Sequence, residues 1–75
     1  MPQIILYTQN DCPPCTFVKN YLIQNDIVYE ERNIKKEQYR QQMMAHDAFS
    51  TPFILINDEP MYQVDLDLLN QKLGI

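Results

Sequence analysis

The sequence predicts an α/β domain built as a four-stranded mixed sheet flanked by three helices, and three observations carry that prediction. Residues 3–8 and 53–56 are short, nearly continuous apolar runs of the kind that fills a strand covered on both faces. Three other stretches repeat their apolar residues at helical spacing. The elements follow one another as strand, helix, strand, helix, strand, strand, helix, an order that sets helices over a mixed sheet. With 75 residues there is room for one domain, spanning 1–75, and for no second module.

Taken in order, residues 3–8 form the first, central strand, and the polar Gln9-Asn10-Asp11 turns the chain into a helix over about 14–25. Pro14 suits the first turn of that helix, where its missing N–H has no partner in any case, and Phe17, Val18, Tyr21 and Leu22 recur on one face. Residues 28–32 make a second strand, less apolar and therefore at an edge. The helix over about 36–46 sets Tyr39 and Met43 one turn apart and leaves Glu37, Arg40 and Gln41 to water. After Ser50-Thr51-Pro52, residues 53–56 are the strongest strand of the chain. Asn57-Asp58-Glu59-Pro60 turns it into a short strand over 61–64, so that the two form a hairpin. Asp65 caps a last helix in which Leu66, Leu69 and Leu73 share a face.

Composition narrows the function. At 45% hydrophobic and 21% charged residues the chain is neither disordered nor fibrous. A net charge of -4, with its six basic residues spread thinly, argues against nucleic acid as a partner. No run approaches the roughly 18 apolar residues of a membrane helix, and the start Met1-Pro2-Gln3-Ile4 lacks the cationic flank of a secretory signal. These features predict a cytoplasmic protein with no membrane partner, working as a monomer.

The two cysteines, Cys12 and Cys15, lie three residues apart at the mouth of the first helix. In a reducing compartment such a pair is catalytic or metal-binding more often than structural, and a bridge over so short a loop constrains the unfolded chain only slightly. Thiol–disulfide exchange needs one thiolate that attacks and a second thiol that resolves the mixed disulfide. Cys12 sits at the rim, where it is expected to be exposed and where the free amides and dipole of a helix start favour a thiolate. Cys15 lies one turn in and is shielded. Cys12 is therefore the expected nucleophile and Cys15 the resolving thiol. Pro13 and Pro14 have no N–H to offer the sulfur, which leaves the N–H of Cys15, and Asp11 adds a like charge. These neighbours point to a reductant rather than a strong oxidant, and no cofactor is needed for the cycle.

Tyr7-Thr8 followed by Cys12-Pro13-Pro14-Cys15 resembles the opening of the glutaredoxin-like proteins of the NrdH type, and the element order resembles the thioredoxin fold over nearly the whole chain. Ser50-Thr51-Pro52 is similar to the family's Thr-Val-Pro. The resemblance implies that Pro52 is cis and faces the active pair, with the backbone of Thr51 aligning a substrate strand beside it. It also implies protein disulfides as substrates, with ribonucleotide reductase a candidate target and thioredoxin reductase or glutathione the reductant. Departures bear on that choice. Tyr62 and Gln63 stand where glutathione-binding members carry a Gly-Gly pair, and a Cβ there fills the space a tripeptide approaches. Gln9 stands where many have a lysine. Met61-Tyr62-Gln63-Val64-Asp65 replaces the tryptophan-containing segment of the NrdH group.

Other residues have a plainer reading. Tyr7 and Tyr62 are candidates for an aromatic platform under an incoming substrate, although Tyr7 at a strand end also suits the core. A zinc or iron–sulfur site, including a cluster shared between chains, is the rival use of the cysteine pair, with His46 as the one further soft donor; the end of a helix is its simpler place. Lys19, one turn after Cys15, either lends positive charge to the thiolate region or, more simply, is a solvated face. Arg32, Lys35, Lys36 and Arg40 are a local basic concentration, either a salt-laced surface or a dock for an acidic tail. Glu30 and Glu31, adjacent in a strand, point to opposite faces and do not share a substrate.

Overall fold

The computed structural model describes residues 3–75; Met1 and Pro2, where the expected absence of a cationic signal flank begins, lie outside them. The elements are β1 (Ile4–Thr8), α1 (Pro13–Gln24), β2 (Glu30–Asn33), α2 (Glu37–Ala45), β3 (Phe53–Ile56), β4 (Glu59–Met61) and α3 (Leu66–Leu73). The sheet order is β2-β1-β3-β4, with β1 parallel to β2 and antiparallel to β3, and β4 antiparallel to β3. This is the expected four-stranded mixed sheet with three helices.

Every residue of β1 and β3 is buried, because both strands are central and both faces are covered. Ile4, Leu6, Ile54 and Ile56 face one way and pack with Val18 and Leu22 of α1 and Leu69 of α3. Ile5, Tyr7, Phe53 and Leu55 face the other way and meet Met43 of α2 and Ala48. The alternation of strand residues thus divides the core into two apolar clusters on either side of the sheet.

Several expectations need correction. Phe17, expected on the inner face of α1, is 55% exposed. Cys15, Val18 and Leu22 occupy the buried stripe, and Phe17 is about 200° around the helix from Cys15. β2 is at the edge as expected, but its ladder with β1 begins at Ile5 opposite Glu30, so Val28 falls outside it and is 78% exposed. The largest difference is β4, which covers Glu59–Met61 rather than 61–64. Asn57 and Asp58 alone make the turn, with φ of 51° and 67°, the pattern of a two-residue type I′ hairpin. Asn57 Oδ1 also accepts the N–H of Gln3 at 2.9 Å and so holds the turn against the start of β1. Pro60 pairs with Leu55 without harm, because β4 is an edge strand and needs no donor on its outer side.

The helices lie within a residue or so of their expected bounds. Asp65 caps α3, its Oδ1 accepting the N–H of Leu68 at 3.2 Å, and Gly74 closes it in the left-handed region. Among the described residues no helix is long and apolar enough to cross a membrane.

Candidate active site

The C-terminal end of β1 runs into Gln9-Asn10-Asp11, and α1 starts directly afterwards. Asp11 is left-handed, φ 55°, a conformation that Asp and Asn tolerate better than other residues with a Cβ. This turn delivers Cys12 to the N-cap, with Pro13 and Pro14 as the first two helical residues. An N-cap side chain ordinarily takes the N–H of the second or third helical residue. Pro14 has none, and the third, Cys15, donates to Cys12 Sγ at 3.2 Å.

Cys12 and Cys15 are joined as a disulfide. The expected asymmetry is present, with Cys15 1% and Cys12 8% exposed, but Cys12 is far less open than its rim position implied. The loop after α2 comes over it: the Thr51 hydroxyl donates to Cys12 Sγ at 3.7 Å, the Thr51–Pro52 peptide bond is cis, and both residues are half-buried. Asp11, Pro13, Pro14, Thr51 and Pro52 are thus gathered around the pair at one end of the sheet.

Tyr7 is not among them as a platform. It is 1% exposed, its ring lies 5.7 Å from that of Phe53, and its hydroxyl donates to Gln42 Oε1 at 3.0 Å. Strand alternation turns it under α2, leaving no ring face for a substrate. Tyr62 is 55% exposed; its ring lies 5.6 Å from Phe53 and its hydroxyl donates to the carbonyl of His46 at 2.8 Å. It ties the exit of β4 to the end of α2. His46 is the C-cap of α2, with its ring 5.7 Å from Phe53. Among the described residues no group of three or more His, Cys, Asp or Glu side chains is placed to hold a metal, so the two sulfurs supply half of a four-ligand site.

Lys19, expected on a solvated face, meets Glu31 near the pair. Glu31 accepts the Thr8 hydroxyl at 2.8 Å and the Lys19 ammonium at 3.3 Å. Together with both cysteines, Lys19 and Glu31 line a cavity of about 560 Å³. The signal was the register: Glu31 lies opposite Leu6, whose side of the sheet is the α1 side. Glu30 points the other way, as expected, and pairs with Arg32. That pairing is the main reason the Arg32 guanidinium is held above even its ordinary range, and Arg32 also donates to Gln42 at 2.8 Å and to Tyr7 at 3.1 Å. Of the local basic concentration, Arg32 and Arg40 are thus in ion pairs, with Glu30 and Glu37, and Lys36 lies over the ring of Tyr39. A larger, more apolar cavity of about 690 Å³ lies at the other end of β1 and includes neither cysteine.

The protein-family model described as Glutaredoxin matches residues 4–61. The crystal structure of the thioredoxin-like protein BC3987 is similar to this chain with a TM-score of 0.85 and 38% identity, covering 92% of this chain and 97% of that one. Glutaredoxin 1 from Francisella tularensis, crystallised in complex with cacodylate, has a TM-score of 0.76 over the full length of both chains; at 21% identity it shows the fold alone. Comparison with curated proteins gives no match. With more than half of its length inside that family's pattern and a Cys-x-x-Cys pair closed at the start of α1, the chain belongs to the glutaredoxin family and is a thiol–disulfide oxidoreductase.

Proposed function

We propose that the protein is an electron donor that reduces protein disulfides, with Cys12 as the attacking and Cys15 as the resolving sulfur. It acts as a single domain over 1–75, as a cytoplasmic monomer. The family implies protein disulfide substrates and a thiol reductant such as glutathione. The supporting observation is the asymmetry of the pair: Cys15 is sealed at 1% exposure, while Cys12 is at the helix start and receives both the Cys15 N–H and the Thr51 hydroxyl.

In the reduced protein those two donors stabilise a Cys12 thiolate. The thiolate attacks one sulfur of the substrate disulfide, forming a Cys12–substrate bond and expelling the other substrate sulfur as a thiolate, which takes a proton. Cys15 then loses its proton and attacks Cys12 Sγ. The second substrate sulfur leaves and is protonated. Two electrons and two protons have passed to the substrate, and the Cys12–Cys15 disulfide remains. The contact of the Thr51 hydroxyl with Cys12 Sγ supports a role for Thr51 and Pro52 in aligning an extended substrate segment beside the pair. Asp11, Pro13 and Pro14 tune the thiolate as argued from the sequence.

Ribonucleotide reductase is the proposed target and a thioredoxin reductase the preferred reductant, because Tyr62 and Gln63 replace the glycine pair and Tyr62 is tied across to His46. The test uses Cys15→Ser, which is expected to accumulate a stable mixed disulfide with an oxidised protein substrate, whereas Cys12→Ser forms none. Mixed disulfide through Cys15 in Cys12→Ser would reverse the roles. For the reductant, NADPH consumption is followed with oxidised protein plus either thioredoxin reductase or glutathione and its reductase. Fast turnover with glutathione alone overturns the preference.

A further inference from the structure

The cavity beside the disulfide has a charge of its own. Its wall joins both cysteines to three charged residues, Asp11, Lys19 and Glu31, and to the amide residues Gln9, Asn10 and Asn33. Lys19 is held against Glu31 Oε2 at 3.3 Å, and the same oxygen accepts the Thr8 hydroxyl at 2.8 Å. Those two charges cancel. Asp11 is exposed and has no ion-pair partner among the described residues. Asn33 is fixed by donating to Asn10 Oδ1 at 3.1 Å while its own Oδ1 accepts the N–H of Lys35 at 2.9 Å. The charged side chains of the lining therefore sum to one negative charge, its single cation is already paired, and the start of α1 beside it offers an anion little, because Pro13 and Pro14 have no N–H and the N–H of Cys15 goes to Cys12 Sγ.

We infer that this cavity is a specificity site, which receives a lysine or arginine side chain next to the reacting cysteine of the substrate protein. The inference rests on the reading of Cys12 as the attacking sulfur. Because Cys12 itself lines the cavity, a substrate disulfide that reaches Cys12 brings its neighbouring residues to the cavity's rim. A cation there meets Asp11 and the outer side of Glu31, whereas an anion meets Asp11 as a like charge and must displace Glu31 to reach Lys19. The pair sets the strength of the preference: removing Lys19 leaves two negative charges, and neutralising Glu31 leaves Asp11 balanced by Lys19. Partly exposed charges of this kind change affinity by factors of about two to five, and salt reduces the effect.

The experiment measures kcat/KM for two disulfide peptides that differ only in a Lys or a Glu beside the reacting cysteine. Changes in thiolate reactivity affect both peptides, so their ratio isolates the charge preference. The Lys/Glu ratio is expected to rise about two- to fivefold in Lys19→Met and to fall by a similar factor in Glu31→Gln. In the Lys19→Met/Glu31→Gln double variant, which has the wild-type charge, it returns to the wild-type value. A wild-type ratio of one or below, a ratio unchanged across the singles, or a double variant that follows either single overturns the inference. Failure of the wild type to reduce either peptide overturns the redox reading beneath it.

Discussion

Cys12 does at the start of α1 what serine or aspartate does at many helices: its side chain takes the N–H of the third helical residue. The second residue usually offers another N–H to the same site, and here it is Pro14. The chain thus keeps the cap but halves the helix N–H donors that a thiolate could collect beside the Thr51 hydroxyl, so the reduced state is stabilised less than it would be with any other residue at 14. Pro14→Ala restores that donor without touching the sulfur. A hydrogen bond to a charged group contributes about 1.5–3 kcal/mol where it is well shielded and less at a rim, so the Cys12 thiolate fraction at pH 7 is expected to rise about three- to tenfold. Thiolate ultraviolet absorbance followed across pH measures it. The same change makes the pair more oxidising, because its reduced form gains the stabilisation. An unchanged titration would show that the missing amide is irrelevant.

At the scale of elements, the β3–β4 hairpin shows where local chemistry and tertiary pairing divide the work. Asn57 and Asp58 both lie at positive φ, and Asn57 earns its place by accepting the N–H of Gln3, but the Asp58 side chain has no hydrogen bond among those of the described residues. Glycine is the preferred second residue of such a turn. Asp58→Gly is expected to stabilise the fold by about 0.5 kcal/mol and raise Tm by about 2–4 °C. Asp58→Ala moves it the other way, and thermal unfolding of the two variants checks both; a lower Tm for the glycine variant would sink the argument. The hairpin also marks what the sequence left hidden. The run Phe53–Ile56 was legible because a strand buried on both faces must be apolar throughout, and the cysteine pair because two thiols at that spacing on a helix start have few other uses. β4 was misplaced because Glu59-Pro60 has the composition of a turn, and only pairing with β3 shows that an edge strand tolerates it. That Lys19 and Glu31 meet beside the pair was not legible for a related reason. Their meeting depends on the register of β2 against β1 and on α1 lying over that edge, contacts between residues far apart in the chain.

For the whole molecule, local structure supplies little of the stability. The helices contain 12, 9 and 8 residues, short of the length at which isolated helices persist in water. The disulfide spans a sequence separation of 3, and closing so short a loop contributes about 2 kcal/mol at most. What remains is burial of the two apolar clusters against the central strands. A domain of 75 residues is expected to have about 4–11 kcal/mol in total. Leu22, fully buried between α1 and the sheet, contributes a large part of that, since Leu22→Ala in a packed core costs about 2–5 kcal/mol. If the chain is a single cooperative domain, the loss is felt on both faces of the sheet at once, because β1 and β3 contribute side chains to both clusters. In reduced Leu22→Ala, urea unfolding followed by circular dichroism and by alkylation of the sealed Cys15 should then show one coincident transition. Its midpoint should lie about 1–3 M below that of the reduced wild type. Met43→Ala, on the opposite face, should keep the two probes coincident as well. Cys15 becoming reactive well before the circular dichroism changes, in either variant, would mean that the active-site end unfolds as its own unit and that 1–75 is not one domain in the thermodynamic sense.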